Sequence, residues 1–226
     1  MNVKLVSYSD PSGEMPMDIE NVQDLIAFCA RVSNPSNQLN TETSEKLIRY
    51  LIKHKHWSPL EMVSACLEIE TTRDIARQIL RHRSFSFQEF SQRYADPTKD
   101  LDFVLREARL QDTKNRQNSV ELEPTIGNEN LKEQWKQHQQ NVINSAKEAY
   151  TWAVNNGIAK EQARAVLPEG NTVSRLYMNG TLRSWIHFIE LRSANGTQKE
   201  HRLVAIECAK AIAKIFPMAA EFITKE

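Results

Sequence analysis

One run of alternating residues constrains the fold more than any other feature of the sequence. From Val63 to Glu70 the residues read VSACLEIE, with an apolar side chain at every second position. Because successive side chains of a strand point to opposite faces, this stretch is predicted to be a strand with one buried face. The backbone groups of a strand need partners, so we expect a sheet, to which Val3–Tyr8 and Thr172–Met178 are predicted to contribute.

Helical spacing dominates the remainder of the chain. The stretch from Leu131 to Ala153 predicts one long amphipathic helix that Gly157 ends, and a shorter helix is expected from about Lys160 to Pro168. The polar residues 111–130 are predicted to form a surface excursion. Further helices are predicted where apolar residues recur every three or four positions, around residues 22–29, 47–52, 75–80, 182–189 and 203–213. We therefore predict an α+β fold in which residues 1–226 form one helix-rich domain with a small sheet.

Capping residues and turn residues set the expected boundaries of these elements. Ser, Thr, Asp or Asn before an apolar run is typical of a helix start, whereas Pro or Asn-Gly is typical of an end or a turn. The boundaries predicted in this way are a helix end at Asn34-Pro35, a helix start at Thr41–Ser44, capping boxes at Thr71 with Asp74 and at Thr197 with Glu200, and a turn at Asn179-Gly180.

The charge balance and the cysteines exclude several classes of protein. Lys and Arg number 29, as do Asp and Glu, so no overall charge draws the chain to nucleic acid or to a membrane. The three cysteines, Cys29, Cys66 and Cys208, form no CxxC pair, which favours a reducing compartment over a disulfide framework or a zinc site. Met1–Asp10 lacks a signal-peptide core, and no apolar run approaches the ~18–20 residues of a membrane span. We therefore expect a cytoplasmic protein without a metal site.

Arginines concentrate around residues 73–83. Arg73, Arg77 and Arg81 are spaced at i, i+4 and i+8, so they would share one face of a helix. The ordinary interpretation of such a row is a solvated face with carboxylate partners. However, the triplet Arg-His-Arg at 81–83 adds further hydrogen-bond donors at the predicted end of that helix. This concentration favours a binding site for an anion.

The segment after the triplet is also rich in polar side chains. Ser84–Tyr94 is predicted to be extended, and in a strand Glu89, Ser91 and Arg93 would point the same way. A carboxylate, a hydroxyl and a guanidinium on one line suit a ligand with both phosphate and ring N–H groups. Ser91 is not predicted to be a hydrolase nucleophile, because the segment has no glycine, no GxSxG turn and no evident activating base.

A second polar cluster lies in the last third of the chain. Arg183, His187 and Glu190 lie opposite the apolar stripe of their predicted helix, and Arg192 follows at its end. A solvated histidine and an arginine that interacts with the helix dipole are the ordinary interpretations. Arg164 lies among small and apolar residues (ARAVLP). Because burial of an unpaired arginine is costly, Arg164 predicts a carboxylate partner or a phosphate.

Several of these residues occur in an order that resembles a known family. The triplet RHR at 81–83, followed after seven residues by Ser91 within RHRSFSFQEFSQRY, is similar to the signature of the flavin-dependent thymidylate synthases. The upstream block His54–Glu61 and the downstream blocks Ala163–Pro168 and Leu182–Arg192 resemble the same family, in the same order.

The resemblance implies a reaction, a cofactor and an assembly. Members of the family transfer the methylene group of 5,10-methylenetetrahydrofolate to C5 of dUMP, and FAD passes on reducing equivalents from NADPH. They are homotetramers whose active sites collect residues from several subunits. The residues that the resemblance implies for FAD are Ser58, Arg81, His82, Arg83, Glu89, Thr181, Leu182, Arg183 and His187.

The resemblance also implies the residues around the substrate. Arg192 would stabilise the ionised pyrimidine N3 and so make C5 more nucleophilic, whereas Ser91 would position the substrate without bonding to it. Gln88 and Thr181 stand where members of the family often carry Asn, near the expected flavin contacts. The residues implied for dUMP are Gln78, Arg81, Glu89, Phe90, Ser91, Arg93, Arg164 and Arg192, with His56 and Tyr94 on the folate side.

Two other interpretations of the arginines remain open. An Arg-rich phosphate- or RNA-binding module without catalysis would use the same clusters, and its affinity would fall steeply with salt. A structural helical oligomer would leave the charges solvated. Neither interpretation explains why the RHR triplet, Ser91, Arg164 and Arg192 occur together in the order typical of the family.

Overall fold

The computed structural model describes residues 1–16 and 18–224. Its strands and helices alternate irregularly along the chain, with helices in the majority. The strands are β1 (Asn2–Tyr8), β2 (Ser64–Thr72), β3 (Ser86–Glu89), β4 (Arg109–Gln111), β5 (Ser119–Glu121) and β6 (Val173–Thr181). The α-helices are α1 (Val22–Ala30), α2 (Ser44–Lys53), α3 (Arg73–Ile79), α4 (Pro97–Asp100), α5 (Ile126–Asn155), α6 (Lys160–Ala163), α7 (Leu182–Ser193) and α8 (Lys199–Ile212). The predicted α+β class is confirmed.

A four-stranded antiparallel sheet, in the order β1-β2-β6-β3, forms the centre of the fold. The alternating run behaves as predicted, because Ala65, Leu67 and Ile69 in β2 are buried while the intervening residues are partly exposed. β6 pairs with β2 along its full length, from Val173 opposite Thr72 to Thr181 opposite Ser64. The sheet therefore places the start of α3 and the start of α7 at opposite ends of the same strand pair.

Aromatic residues pack α7 against this sheet. Trp185 is fully buried, and its Nε1–H donates to the carbonyl of Ala65 at 3.0 Å. Its ring meets that of Phe85 edge to face, with centroids 4.8 Å apart, and Phe188 lies beside both. Burial of one such side chain contributes roughly 1.5–3 kcal/mol. This aromatic cluster fixes the position of α7, which carries Arg183, His187 and Arg192 on the rest of its surface.

The expected turn at Asn179-Gly180 is wrong, because β6 continues through both residues. Asn179 lies opposite Cys66, and Gly180 lies opposite Ala65. A Cβ atom on Gly180 would lie 2.4 Å from Cδ1 of Phe85. Glycine is thus required here by the close approach of an aromatic ring and not by a turn.

The extended prediction for Ser84–Tyr94 is correct only in part. β3 spans Ser86–Glu89, the residues that pair with β6. Beyond it the chain turns, since the N–H groups of Tyr94 and Ala95 donate to the carbonyl of Ser91. The expectation that Glu89, Ser91 and Arg93 share one strand face is therefore wrong.

The predicted capping boxes are also wrong. Thr72, not Thr71, precedes α3, and its hydroxyl bonds to Asp74 and makes no capping bond to the helix backbone. The N-cap of α8 is Gln198, likewise without a side-chain capping bond. Thr43 precedes α2, where its hydroxyl accepts a bond from Arg31 at 2.8 Å and does not cap the helix. Arg106 also donates to the Thr72 hydroxyl, so a tertiary partner engages the hydroxyl in two of these three cases.

Other boundaries differ less from the predictions. α1 ends at Ala30, before Asn34-Pro35, and the polar residues 111–130 include the β4–β5 hairpin and the first residues of α5. Gly157 follows α5 with φ +80°, as a helix-ending glycine does. Among the described residues, no helix has both the length and the apolar character that a membrane span requires.

Candidate active site

The centre of the candidate site is a contact between the triplet after α3 and the end of α7. Arg192 donates from Nε to Nε2 of His82 at 2.8 Å, and the His82 ring stands edge to face on Phe188 with centroids 5.0 Å apart. Burial, and then the positive charge of Arg192, lower the pKa of His82 to about 4. His82 is therefore neutral at pH 7, accepting at Nε2 and carrying its proton on Nδ1.

This contact leaves most of the Arg192 guanidinium free. Only Nε is engaged, so the two Nη groups have no hydrogen-bond partner within the described part of the chain. Burial, and then the nearby charge of Arg81, lower the pKa of Arg192. Arg81 and Arg83 are exposed and form no ion pair with any described residue. Two neighbouring guanidinium groups without a carboxylate between them are suited to hold an anion.

A buried histidine that the sequence analysis did not single out supports the same region. His201 on α8 is fully buried, and its Nδ1 lies 3.2 Å from Oε1 of Gln78 on α3. Gln78 in turn donates from Nε2 to Oε1 of Gln198 at 2.9 Å. Burial first, and the charges of Arg192 and His82 after it, lower the pKa of His201 to about 3.

The position of His201 was readable from the sequence. The buried face of α8 continues from it at helical spacing through Val204, Ala205 and Cys208, so the histidine stands on the apolar stripe. We call Gln78, His82 and Arg192, which are partly buried, together with the fully buried His201, the buried cluster.

Glu89, by contrast, lies beyond the other end of α3. It accepts from the hydroxyl of Ser174 at 2.8 Å, and its carboxylate lies 3.6 Å from Nη1 of Arg73. Arg73 and Arg77 both approach Glu169. The first two arginines of the predicted row are thus paired with carboxylates, as the ordinary interpretation of such a row expects. Arg81 lies after the last residue of the helix and is not part of that face.

We call Ser91, Arg93 and Arg164, which are partly or fully exposed, the exposed group, and its two arginines contact Glu161. Arg93 lies 3.4 Å from the Glu161 carboxylate, and Nε of Arg164 donates to the Glu161 carbonyl at 3.3 Å. Arg164 is partly exposed, so the expectation that it is buried is wrong. The Ser91 hydroxyl accepts a long bond from the Arg93 N–H, and no described residue is placed to activate it. Phe90, next to it, is partly buried.

The junction of β6 and α7 carries the third set of predicted residues. Thr181 is the N-cap of α7 and accepts from the N–H of Ser184. Arg183 forms an ion pair with Glu61 through Nη1, while its Nε is buried without a partner. The ring of His187 stands edge to face against Trp57 at 4.5 Å.

The remaining predicted residues lie around this junction or on open surface. Leu182 is different from its neighbours, since its side chain lies in the core and its N–H bonds to Val63. Ser58, His56 and Tyr94 are exposed, Tyr94 to 80%. Within the described part of the chain, no hydrogen bond or ring contact joins Tyr94 to His56, the other residue expected on the folate side.

The residues of this chain fit a flavin dinucleotide in chemical terms. The pyrophosphate of such a ligand needs cationic donors, and Arg81 and Arg83 are exposed without a carboxylate partner among the described residues. The buried Nε of Arg183 is a donor without an acceptor, which a ligand oxygen would satisfy. These donors lie on the α3–α7 side of the molecule, beside the buried cluster.

A cavity of about 580 Å³ lies elsewhere. It is lined by residues that include Glu70, Arg106, Arg175 and Glu200. None of the residues predicted to bind a ligand lines it. Most of the predicted residues are instead partly or fully exposed outside this cavity, whereas Leu182 lies in the core.

Comparison with known proteins identifies the family. Residues 17–218 match the family described as "Thymidylate synthase complementing protein". A probable flavin-dependent thymidylate synthase of Paramecium bursaria Chlorella virus 1 is 46% identical over 221 residues, which cover 98% of each chain. The flavin-dependent thymidylate synthase of Synechocystis is 47% identical over 97% of this chain and 98% of its own.

Solved structures agree with this assignment. The UMP/dUMP methylase PolB from Streptomyces cacaoi, bound with 5-Br dUMP, superimposes with a TM-score of 0.77 at 26% identity, covering 98% of this chain and 93% of its own. The same enzyme bound with 5-Br UMP gives a TM-score of 0.78 at 28% identity, over 98% of this chain and 92% of its own. The family match, the identities over nearly the full length and the shared fold show that this chain belongs to the family of flavin-dependent thymidylate synthases.

Proposed function

We propose that this protein converts dUMP to dTMP with FAD, taking its carbon from 5,10-methylenetetrahydrofolate and its reducing equivalents from NADPH. Membership of the family makes it a flavin-dependent thymidylate synthase. The observation in the chain that carries the proposal is the pair of arginines Arg81 and Arg192, whose charges act on each other and neither of which pairs with a carboxylate among the described residues. Such a pair is suited to an anionic nucleotide.

The substrate is assigned to residues on both sides of α3. The dianionic phosphate needs guanidinium donors, and the uracil ring needs a donor that favours its ionised N3. Arg192 meets the second requirement, because its free Nη groups project from a side chain whose Nε is fixed by His82. A fixed positive charge there stabilises the charge that develops as C5 becomes nucleophilic. The residues assigned to dUMP are Gln78, Arg81, Glu89, Phe90, Ser91, Arg93, Arg164 and Arg192.

The flavin is assigned to the α3–α7 side. When bound, FAD supplies the redox chemistry, and the protein supplies orientation and electrostatics. His82 contributes a neutral ring whose orientation is set by Arg192 and Phe188. The residues assigned to FAD are Ser58, Arg81, His82, Arg83, Glu89, Thr181, Leu182, Arg183 and His187, with His56 and Tyr94 assigned to the folate side.

We assign the complete site to a homotetramer in which different subunits contribute its two halves. The support is the separation of the buried cluster from the exposed group, since no hydrogen bond or ion pair among the described residues joins them. Gln78 lies near the C-terminal end of α3, whereas Glu89, two residues before Ser91, pairs with Arg73 at its start, and the seven residues of the helix span about 10 Å along its axis. Contribution of the exposed group by a neighbouring subunit would bring the two halves onto one nucleotide.

The test of the reaction is spectroscopic and kinetic. Purified protein should absorb in the flavin region, and NADPH oxidation should depend on dUMP and yield dTMP when the folate is present. A colourless protein that does not take up FAD, and that binds RNA with a steep salt dependence, would contradict the proposal and favour the Arg-rich module.

The test of the shared site is complementation. Arg192→Ala and Arg93→Ala each remove one half of the site, so each variant alone should be impaired. Co-expression with separate tags should produce mixed oligomers in which some sites contain both arginines, and purified mixed oligomers should recover activity. The control is Arg192→Ala co-expressed with a second Arg192→Ala chain, which should recover none. Mixed oligomers without recovery would contradict the shared site.

A further inference from the structure

We propose that His201 is a positioning residue that sets the orientation of the Gln78 carboxamide and thereby aims its N–H group at the nucleotide. The inference rests on the proposed function, in which Gln78 contacts dUMP. It adds a residue on α8, a helix that carries none of the assigned ligand residues. The geometry that carries it is a chain of hydrogen bonds from α8 to α3.

The His201 ring is held in a fixed place. It is fully buried, with Phe188 at 5.8 Å and His82 at 6.3 Å between ring centroids. From this position Nδ1 lies 3.2 Å from Oε1 of Gln78. The Gln78 backbone is fixed separately, because it lies on α3.

The placement of the Gln78 amide oxygen determines which nitrogen of the His201 ring carries the proton. An amide oxygen only accepts hydrogen bonds, so the imidazole must donate to it through Nδ1–H. The Gln78 nitrogen is directed to the other side, where it donates to Oε1 of Gln198. An NH₂ group has two hydrogens, and Gln198 takes one of them. The second hydrogen remains for a ligand oxygen.

The other ring nitrogen indicates why the orientation is specific. Nε2 of His201 is buried without a partner in the described part of the chain. A histidine that served only to pack would leave both nitrogens without a role, at a cost in free energy. In His201, Nε2 has no partner but Nδ1 makes a defined bond to Gln78. This arrangement is expected if the role of His201 is to donate that bond.

Two substitutions separate positioning from packing. His201→Phe keeps an aromatic ring against Phe188 but removes the donor. His201→Asn removes the ring but places its amide nitrogen where Nδ1 stood. Val204→Ala is the matched control, since Val204 is the next residue on the same buried face of α8 and has no hydrogen-bonding side chain.

The experiment measures dUMP binding by calorimetry, together with kcat, KM and flavin content, on FAD-loaded protein. Each His201 variant is made in the parent and in a Gln78→Ala background. In the parent, His201→Phe should raise the Kd and the KM for dUMP about two- to tenfold, the range of one neutral hydrogen bond, with kcat and flavin content little changed. His201→Asn should recover part of the loss, and Val204→Ala should leave the Kd unchanged.

The Gln78→Ala background gives the decisive comparison. If His201 acts through Gln78, His201→Phe should cause no further loss there. The inference is overturned if His201→Phe binds dUMP as the parent does, or if its loss is the same in both backgrounds. Parent protein that takes up FAD but does not bind dUMP would instead overturn the proposed function itself, so the two failures are distinguishable. If His201→Phe does not fold, His201→Asn and Gln78→Ala are combined in the same way. Losses of dUMP affinity that add in the double variant would show that His201 does not act through Gln78, and would overturn the inference.

Discussion

The buried cluster and the exposed group are held in opposite ways, although both are predicted to bind the same nucleotide. In the buried cluster, Arg192 is fixed by His82, and Gln78 by His201. In the exposed group, Arg93 and Arg164 rest against Glu161, and Ser91 bonds only to the backbone of a turn. The first is a network of side chains with defined orientations, and the second is a set of side chains on open surface.

The difference bears on what each group can contribute. A preorganised charge stabilises a transition state without reorganising at the moment of reaction, which suits the buried cluster to act on the pyrimidine ring. Exposed arginines contribute mainly charge. A surface ion pair such as Arg93 with Glu161 contributes at most about 1 kcal/mol to stability. Exchange of such a pair for a phosphate is therefore inexpensive. If the buried cluster acts on the pyrimidine ring and the exposed group supplies mainly charge, substitutions in the two groups should differ in their effect on turnover.

The largest effect is expected at Arg192. Its replacement by Ala removes a charged donor near the pyrimidine, and such bonds contribute about 1.5–3 kcal/mol. Turnover with dUMP should fall on the order of ten- to several-hundred-fold, since each 1.36 kcal/mol is about tenfold. Arg192→Lys should recover only part, because lysine keeps the charge but not the planar fork.

The controls for Arg192 are flavin content and a distant arginine. Flavin content should stay near that of the parent, because the contact is to the substrate. Arg49→Ala removes an exposed arginine that pairs with Glu45 and Glu221, and it should leave the kinetics unchanged. An Arg192→Ala enzyme that is folded, flavin-loaded and nearly as active as the parent would remove the catalytic role and leave only a helix-dipole interaction.

A somewhat smaller effect is expected at Arg81, which is exposed but lies beside the buried cluster. Arg81→Ala should weaken FAD binding about ten- to hundredfold, through loss of one charge-assisted bond. Arg77→Ala is the matched control, because Arg77 lies on α3, four residues before Arg81, and already pairs with Glu169. Fluorescence titration of the apoprotein with FAD measures both, and equal affinities for Arg81→Ala and the parent would exclude Arg81 from the flavin site.

The buried cluster should also make stability depend on pH. The pKa of His201 is about 3 in the folded protein, against about 6.5 in an unfolded chain. Between about pH 3 and pH 6.5 the unfolded state therefore binds more protons than the folded state. The contribution of neutral His201 to the free energy of unfolding is complete above about pH 6.5 and is lost as the pH falls towards about 3. Between pH 7 and pH 5 the free energy of unfolding of the parent should drop by about 1–2 kcal/mol more than that of His201→Phe. Urea unfolding at the two pH values measures the difference, and parallel losses would contradict the buried neutral state of His201.

The smallest effect is expected in the exposed group, at Ser91. Ser91→Ala should lower turnover by less than about tenfold, the range of a single neutral hydrogen bond, because no base activates the hydroxyl. The control is Ser86→Ala, because Ser86 is an exposed serine on β3. Mass spectrometry of the parent during turnover should find no nucleotide bonded to Ser91. A kinetically competent adduct would overturn the positioning role.

Local patterns were sufficient for most of the fold and for the family. The alternation of residues 63–70 predicted β2, and helical spacing predicted α5 and α7, because both periodicities follow from backbone geometry. The RHR triplet and the later blocks predicted the family, which the comparisons confirm. The capping cluster Thr41–Ser44 predicted the start of α2 correctly, but the Thr43 hydroxyl bonds to Arg31 and does not cap the helix. Local patterns failed at Gly180, where the ring of Phe85 and not a turn requires glycine.

The amino-acid sequence specifies which chemical groups this protein has and indicates the elements on which most of them lie. The protonation states and the contacts of these groups depend on the tertiary structure. Arg192 and His82 are 110 positions apart, and no periodicity predicts that one fixes the other. The neutrality of His82 and His201 is likewise a property of burial and of nearby charge, which act through space and not along the chain. For the same reason, the sequence could not separate Arg73 and Arg77, which approach Glu169, from Arg81, which has no carboxylate partner among the described residues.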